Sequence, residues 1–368
     1  MTKIAIVSLH YSPGYTAHMQ AWYRLCEESG YEARLFTDER YRKGISPKEY
    51  RYCADLKELE RYRPDYAIVQ NTGIENIRFF RWCREEGCRI LYILHEPYMG
   101  IKEILKDGAY CLKQAAACIL NRQLCNRAER VIVCSGYAEE NCRKYMKRIC
   151  GKCTRFPLIF PDEYAEEERE REYFSLIGTY ASAKGSDLFL QFMKDAAKAG
   201  YDIRFQIATR SDLTKQLADG ILQELIRDGR LTVQHGRDLS VEEINEAYRR
   251  SICCWNGYRR TTQSGVLPNA FMMGTPVAAT RTGSFTEFVE DGETGVFIDS
   301  EDPGSIYNGY KRSKERNREM SRACRAFFLE NFYYGRQKER FKSIIEGGTK
   351  AEERQPEPQT KKESKRAR

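Results

Sequence analysis

The chain has 368 residues, of which 41% are hydrophobic and 31% are charged, a balance typical of a globular protein with room for two domains. It has no apolar run of membrane-spanning length and no signal-peptide pattern, so we expect a cytoplasmic protein. The formal net charge of +8 is compatible with nucleic acid, anionic lipid or phosphorylated substrates, and charge alone does not choose among them.

The cysteines do not form a framework of metal or disulfide spacings. Fourteen cysteines lie scattered through apolar segments, which favours reduced core residues over a secreted disulfide scaffold. Cys150 and Cys153 have the spacing of a zinc or redox pair, but a second pair and a nearby histidine are missing. We therefore predict no metal site.

The first half of the chain alternates short apolar runs with amphipathic helical patterns. Strands are predicted at residues 3–9, 34–36, 66–71 and 89–94, and residues 129–137 read as a strand with its turn. This alternation predicts a doubly wound α/β sheet, in which ligands lie at the carboxyl ends of the strands. The charged segment 41–62 is predicted to be helical.

Polar residues follow two of these strands. Gly14 lies in the loop after the first strand, and the run His95-Glu96-Pro97-Tyr98 follows the strand that ends at residue 94. A lone histidine is often structural, yet this position is where an active-site residue of such a sheet lies. His18, on the first helix, is interpreted as structural or as facing an acceptor.

A domain boundary is predicted near residue 158. The stretch 156–161 is extended and marked by prolines, and a charge run covers residues 163–172. The strand pattern then restarts at residues 173–178, and Lys184 precedes a new helix. A lysine near a helix start supplies a point charge beside exposed backbone N–H groups, an arrangement that suits phosphate.

The run from 263 to 297, QSGVLPNAFMMGTPVAATRTGSFTEFVEDGETGVF, combines a glycine loop, a helix, a buried strand and a second glycine turn. Such a loop aims backbone N–H groups at a ligand, and phosphate is the usual one. Glycine and helix signals alone fit equally well an ordinary strand–helix unit that binds nothing.

The order of this run resembles the donor-binding segment of retaining glycosyltransferases of family 4, also called glycosyl transferases group 1, which have the GT-B fold. The resemblance implies two Rossmann-like domains facing a cleft, residues 1–158 and 159–327, with a last helix at about 328–346 crossing back to the first. It also implies metal-independent transfer of a sugar, with retention, from a nucleoside-diphosphate sugar to an acceptor hydroxyl. No cofactor is expected, and the acceptor is expected to be a saccharide or a lipid-linked saccharide of polysaccharide or glycoconjugate assembly.

The resemblance also implies roles for individual residues. His95 would contact the donor sugar and Lys184 would neutralise the diphosphate, whereas Thr179 stands where the family usually has an arginine, so Arg210 is a candidate for the missing charge. The complete predicted donor site consists of His95, Lys184, Gly14, Thr179, Arg210, Arg237, Gln263, Ser264, Gly265, Val266 and Asn269.

The chain departs from the family at the Glu-x7-Glu pattern. Counting back from Gly274 places Thr261 and Asn269 where the two glutamates usually stand. As in the family branch with a Gln-Ser-Gly loop, Gln263 or Ser264 would take over the sugar contacts, and Asn269 would hydrogen-bond the ribose. The sugar, the base and the acceptor stay open.

Residues 347–368 are rich in charge and poor in apolar side chains, which predicts a disordered basic tail. Contact of this tail with anionic lipid at the inner membrane face is an open expectation, and nucleic acid is not expected, because an aromatic–basic binding pattern is missing. Two alternatives remain at this point: a sugar-nucleotide epimerase or hydrolase of the same fold, or a non-enzymatic protein that binds sugar or nucleic acid.

Overall fold

Two parallel β-sheets, packed against helices, organise the protein. A computed structural model of the chain describes residues 1–55, 57–95, 100, 111–165 and 170–347. The first sheet contains β1 (Lys3–Ser8), β2 (Glu32–Thr37), β3 (Tyr52–Cys53), β4 (Tyr66–Val69), β5 (Arg89–Ile93), β6 (Arg130–Val133) and β7 (Cys153–Arg155). The second contains β8 (Tyr173–Ile177), β9 (Arg204–Ala208), β10 (Leu231–Gln234), β11 (Ser251–Asn256), β12 (Val277–Ala279) and β13 (Gly295–Phe297).

The strand orders are β3-β2-β1-β4-β5-β6-β7 in the first sheet and β10-β9-β8-β11-β12-β13 in the second, and neighbouring strands are parallel. Both orders reverse direction beside the first strand of the sheet, which confirms the predicted doubly wound architecture. In such a sheet, ligands bind where the strand order reverses, outside the carboxyl ends of the strands.

The first strand shows why these sheets are buried on both faces. Ile4 and Ile6 pack into one core cluster, whereas Ala5 and Val7 pack into another on the opposite face, and all four are fully buried. A continuous apolar run is the pattern expected of a parallel strand covered on both sides.

The described α-helices lie between successive strands or, for the last three, follow the final strand. They are α1 (Thr16–Glu28), α2 (Lys57–Tyr62), α3 (Glu75–Glu85), α4 (Cys111–Arg127), α5 (Gly136–Tyr145), α6 (Ser186–Lys198), α7 (Thr214–Leu217), α8 (Gly220–Arg227), α9 (Val241–Arg249), α10 (Val266–Met272), α11 (Phe285–Phe288), α12 (Pro303–Glu315), α13 (Asn317–Asn331) and α14 (Lys338–Ile345). Within the described part of the chain, none of them is long and apolar enough to cross a membrane.

The helical prediction for residues 41–62 was wrong for most of that segment. Among the described residues of that segment, only those of α2 are α-helical, and β3 pairs with Leu35 and Phe36 at the edge of the first sheet. The Tyr41 hydroxyl is held by the backbone of Ser12, so tertiary contacts override the local helical pattern.

The chain crosses between the two sheets at two adjacent points. Phe160 and Tyr333 form a parallel bridge, in which the Phe160 N–H donates to the Phe332 carbonyl at 2.9 Å. Beyond this bridge, α14 packs on the first sheet's helices, with the Phe341 ring 5.5 Å from that of Trp22. The C-terminal helix therefore returns to the first domain, as the resemblance implied.

The predicted domain limits at 158/159 and 327/328 stay predictions. The predicted basic tail, residues 347–368, lies outside the described residues except for Gly347, and so does Glu96.

Candidate functional site

The carboxyl ends of the two sheets meet in a cleft, where loops of one domain contact loops of the other. On the first-domain side, His95 follows β5 and Ser135 follows β6. The Thr262 hydroxyl donates to the His95 carbonyl at 3.2 Å, and the Ser135 hydroxyl donates to the Thr262 carbonyl at 2.8 Å. The loop between β11 and α10 is therefore fixed against the first domain.

His95 and Gln263, both predicted as site residues, touch across this cleft. The Gln263 side-chain nitrogen lies 2.5 Å from His95 Nδ1. The second ring nitrogen, Nε2, is buried and has no hydrogen-bond partner among the described residues, and the same holds for Gln263 Oε1. Two polar atoms at the contact are thus left with unused hydrogen-bonding capacity, which is rare in folded proteins unless a ligand or water supplies the partner.

We call Tyr15, His18 and His95 the histidine cluster. The Tyr15 ring stacks on the His95 ring with centroids 4.7 Å apart, and the His18 ring lies 5.6 Å from His95 at 67°. Burial, followed by the proximity of His18, lowers the pKa of His95 to about 3, while hydrogen bonding by the Gln70 backbone acts in the opposite direction. His95 is therefore neutral at physiological pH.

His18 has a structural role. Its Nδ1 lies 2.9 Å from the Ile159 carbonyl, and its Nε2 accepts from the Trp22 indole N–H at 3.1 Å. Since the indole is only a donor, the proton of the neutral ring is on Nδ1. Burial lowers the pKa of His18 to about 4. Both nitrogens are used within the protein, so of the two roles left open for His18 the structural one fits.

On the second-domain side, Lys184, Tyr258 and Ser264 form what we call the lysine cluster. The Lys184 ammonium lies 5.7 Å from the centroid of the Tyr258 ring, and the Tyr258 hydroxyl lies 3.2 Å from Ser264 Oγ. The Tyr258 ring is buried. An ammonium over an aromatic face is stabilised as a cation, so Tyr258 links the predicted lysine to the glycine loop.

Two glycines allow these loops to approach one another. Gly185, next to Lys184, has φ of +62°, and a Cβ there would lie 2.1 Å from the Gly257 carbonyl oxygen. Gly283 has φ of +54°, and a Cβ there would lie 1.7 Å from the Thr261 carbonyl oxygen. Other residues cannot occupy either position without moving the loops of the site.

Three further predicted residues lie beside these clusters. Thr179 is exposed next to Gly178, where a built Cβ would lie 3.3 Å from Val266 Cγ2. Gly14 directly precedes Tyr15, whose ring stacks on His95. Gly265 directly precedes α10, which begins at Val266. The loop after β8 and the glycine loop are thus neighbours.

Other predicted residues are less closely involved. Arg237 pairs with Glu243, with one nitrogen–oxygen distance of 2.9 Å, so its charge is already partnered. Arg210 is exposed beyond the end of β9, and Asn269 is half buried within α10. Arg259, just ahead of the glycine loop, pairs with Asp187 through two hydrogen bonds of 2.7 and 2.9 Å.

The N-terminus of α5 carries a second contact across the cleft. The Gly136 N–H donates to Glu287 Oε2 at 2.6 Å, and Arg155 lies 3.5 Å from Glu287 Oε1. Burial raises the pKa of Glu287. A carboxylate at a helix N-terminus is favoured by the helix dipole, so this contact holds the second domain to the first.

Sequence reasoning missed Tyr258 and Glu287 as site residues. Tyr258 lies two residues beyond β11, and the rule that singled out His95 after its strand applies to this position too. Glu287 is part of the quoted EFVEDGETG run, but its partner at residue 136 is far away in the sequence and no local pattern identifies it.

A pocket of about 670 Å³ opens beside the lysine cluster, at the carboxyl ends of β11, β12 and β13. Its lining includes Tyr258 and Thr282 together with Asp299 and Glu301. Arg259 and Arg281 also line the pocket, so its two basic and two acidic side chains balance, and the charge of the lining neither selects nor excludes a phosphate.

Within the described residues, no group of three or more histidine, cysteine or acidic side chains has the arrangement of a metal site. Cys150 and Cys153 are free thiols. The Cys150 thiol contacts backbone carbonyls of α5 and the residue after it.

Comparisons with known proteins agree with this arrangement. Residues 171–312 match the family model described as glycosyl transferases group 1. That segment contains the lysine cluster and the whole of the second sheet. A search of curated protein sequences gave no match.

Several solved structures have a similar fold. HepE of Anabaena, in complex with UDP and glucose, has 12% identity and a TM-score of 0.70, covering 94% of this chain and 100% of its own. Sucrose-phosphate synthase of Thermosynechococcus elongatus has 15% identity and a TM-score of 0.71, covering 94% and 99%. The catalytic domain of starch synthase IV from Arabidopsis thaliana, bound to ADP and acarbose, has 10% identity and a TM-score of 0.68, covering 94% and 99%.

At these identities the likeness establishes the fold alone. The chain has the GT-B fold, with two Rossmann-like domains facing one cleft.

Proposed function

We propose that this protein is a glycosyltransferase that moves a sugar from a nucleoside-diphosphate sugar to an acceptor hydroxyl, with retention of anomeric configuration and without a metal ion. The observation that carries the proposal is the meeting, at one cleft, of a cation from the second domain and a strand-end histidine from the first. The similar structures with UDP or ADP bound in related folds support a nucleotide donor.

The lysine cluster would bind the diphosphate. Lys184 supplies a positive charge beside the backbone N–H groups of the glycine loop at Ser264, Gly265 and Val266, which are the donors left without intrahelical partners at the start of a helix. Charge that develops on the leaving diphosphate is stabilised by such fixed donors and cations. A protein cation would thereby take the place of a metal.

The histidine cluster would hold the sugar. His95 is neutral, so it hydrogen-bonds hydroxyl groups without adding charge to the reacting centre. Gln263 contacts the same ring from the opposite domain. A hydroxyl-rich sugar placed between them would lie between the two domains, where closure excludes water.

The acceptor would be a saccharide or a lipid-linked saccharide in polysaccharide or glycoconjugate assembly. One structural neighbour is WaaG, a glycosyltransferase involved in lipopolysaccharide biosynthesis, and we propose a comparable role here. The protein would work in the cytoplasm, and its basic C-terminal segment would contact anionic lipid at the inner membrane face.

A ligand screen tests the donor. Thermal unfolding is measured with UDP-, GDP- and ADP-sugars, and the correct donor at 100 times its Kd stabilises the fold by about 2.7 kcal/mol. The stabilising donor is then incubated with candidate acceptors in the presence of EDTA, and the anomeric configuration of the product is read by NMR.

The outcomes of this screen are distinct. Transfer with a retained configuration in EDTA supports the full proposal. Release of free sugar without an acceptor product indicates a hydrolase, and a changed sugar on the nucleotide indicates an epimerase. A protein that no nucleotide sugar stabilises contradicts the proposal.

A further inference from the structure

The contact between Gln263 and His95 joins the two domains through two uncharged side chains. We propose that Gln263 is a positioning residue that, in the closed cleft, holds His95 as a neutral imidazole with its proton on Nε2. The contact itself is independent of any reaction, but its consequence for catalysis rests on the proposed function. The inference adds to that function the hydrogen-bonding state in which the histidine meets its ligand.

The geometry at the ring gives the first step. The amide nitrogen of Gln263 lies 2.5 Å from Nδ1 of His95. An amide –NH2 group only donates, so Nδ1 must be the acceptor, and a neutral imidazole with an acceptor Nδ1 carries its proton on Nε2. The Nε2 atom is buried and makes no well-formed hydrogen bond among the described residues, although the Gln70 backbone also acts on the ring, so this N–H is the one that a ligand would meet.

The neighbouring groups give the second step. Among the described residues, the titratable side chains that face the His95 ring are Tyr15, stacked at 4.7 Å, and His18, at 5.6 Å. His18 is itself neutral, since burial lowers its pKa to about 4. Neither group places a negative charge beside His95, so the polar groups that act on the neutral ring are the Gln263 amide, at Nδ1, and the Gln70 backbone.

The remaining unused polar atoms point to the kind of ligand. Gln263 Oε1 and both side-chain polar atoms of Gln70, at the end of β4, are buried without partners among the described residues. Gln70 is fully buried. Such atoms need a neutral partner with both donor and acceptor capacity, and the hydroxyl group of a sugar has both.

Domain closure enters because the two residues come from different domains. His95 follows β5 of the first sheet, and Gln263 precedes α10 of the second domain. Opening the cleft separates them, and His95 then loses the bond that selects its tautomer. A second bond, from the Thr262 hydroxyl to the His95 carbonyl at 3.2 Å, breaks in the same motion. The contact of Gln263 with Nδ1 is therefore made only when the cleft is closed.

The tautomer can be read directly by NMR of the full chain labelled with ¹⁵N-histidine. The protein has only four histidines, and single substitutions of His10 and His235 assign their signals. Between pH 6 and 8, we expect His95 to be protonated on Nε2 and His18 on Nδ1, so the two rings serve as opposite references. A His95 ring that is protonated on Nδ1, or that averages between both forms, overturns the proposal.

Substitution of Gln263 gives a second, independent measurement. Gln263→Glu places a carboxylate at Nδ1 and is expected to raise the pKa of His95 by about one to three pH units. Gln263→Ala removes the donor and is expected to leave the ring averaging between its tautomers. Unchanged His95 signals in both variants overturn the proposal, and the wild-type measurement above decides if a variant does not fold.

Two controls isolate the effect of position. Gln191→Glu adds the same charge on the exposed face of α6, where the Gln191 side chain donates to Asp195, and is expected to leave His95 unchanged. Glu96→Gln removes the carboxyl group next to His95 in the sequence. A tautomer that changes in Glu96→Gln but not in the Gln263 variants overturns the assignment to Gln263.

The kinetic readout separates this inference from the proposed function. In an active enzyme, Gln263→Ala is expected to lower kcat about 10²-fold or more, as for loss of a group that orients a transition-state donor, and Gln191→Glu is expected to leave kcat unchanged. A protein with the Nε2 tautomer but without transfer on any donor contradicts only the proposed function. Full activity in Gln263→Ala overturns the positioning role.

Discussion

The lysine cluster and the histidine cluster face one cleft, yet the first carries a charge and the second is neutral. Lys184 is only half buried, and its ammonium rests on the Tyr258 ring, which stabilises a cation. His18 is buried, His95 is half-buried with its Nε2 atom buried, and desolvation lowers their pKa values to about 4 and about 3. The cleft thus has a cationic wall suited to phosphate and a neutral wall suited to hydroxyl groups.

Arg171 shows that burial alone does not decide the difference. Its guanidinium donates to the carbonyl oxygens of Tyr248, Ser251 and Met273 at 2.7–3.2 Å, and burial lowers its pKa only to about 10. A guanidinium starts from a pKa so high that it stays charged after the same desolvation that neutralises an imidazole. The identity of the basic residue therefore sets the charge of each wall.

The largest effect is expected from removing the cation of the lysine cluster. Lys184→Ala should lower kcat about 10²–10³-fold, because the charge on the leaving diphosphate loses its stabilisation, while Lys184→Arg should retain part of the rate. Steady-state transfer assays measure both. Lys198→Ala, at the exposed end of the adjacent α6, is the matched control, and wild-type rates in Lys184→Ala would show that the two walls do not divide the chemistry in this way.

A smaller effect, on stability, is expected from Arg171→Met. Replacing the guanidinium leaves several carbonyl oxygens behind α10 without donors, so the free energy of unfolding should fall by about 3 kcal/mol or more. Urea denaturation measures the loss. The control is Arg204→Met, since Arg204 is exposed and pairs with Glu172 at the surface, where such a pair contributes at most about 1 kcal/mol. Equal losses in the two variants would mean that Arg171 does not support this wall.

The neutral histidines of the second wall should make the free energy of unfolding depend on pH. The folded pKa of His18 lies near 4, below the ordinary value of 6.5. Between these values the unfolded chain binds more protons than the folded one, so stability falls as the pH drops from 6.5 towards 4, by up to about 1.4 kcal/mol per pH unit for each such histidine. Urea denaturation from pH 7 to 5 should show this slope.

His18→Gln provides the comparison for that slope. The substitution removes one titrating group. The slope of the free energy of unfolding against pH should therefore decrease by the contribution of one histidine. An identical slope in the wild type and in His18→Gln would show that His18 is not held neutral by the fold.

The smallest effect is expected from Glu287, whose contact with Gly136 and Arg155 joins the two domains. Glu287→Gln retains an acceptor for the Gly136 N–H but loses the charge that faces Arg155, so the free energy of unfolding should change by about 1 kcal/mol or less. The closed form should nevertheless be less populated, because this contact joins the domains. Small-angle scattering with and without donor measures the opening, and an unchanged profile would exclude Glu287 as a closure contact.

Much of the fold could be predicted from the sequence because local patterns carry it. Continuous apolar runs predicted most strands, and the glycine loop before α10 was placed correctly from its residues. The edge strand β3 was missed, since two residues that pair only with Leu35 and Phe36 leave no periodicity to detect. Its existence depends on a neighbouring strand and not on its own sequence.

Individual residues of the candidate site could be predicted from the sequence, but the contacts between them could not. His95 was singled out because it follows a strand, and Lys184 because it precedes a helix in a segment that resembles the family's. The hydrogen bond between His95 and Gln263 joins residues 168 positions apart, and only the packing of the two domains brings them together. Tyr258 escaped because its function comes from the two side chains that it connects.

The return of the last helix has a consequence for the order in which the protein is made. The Trp22 ring packs against Phe341, and the Tyr66 hydroxyl donates to the Ile345 carbonyl, so the core of the first domain includes residues that are translated after the second domain. During synthesis, the apolar face that α14 covers in the first domain stays exposed until the second domain has been translated. A chain that ends before α14 would leave this face open to aggregation, and both halves of the cleft therefore become available only together.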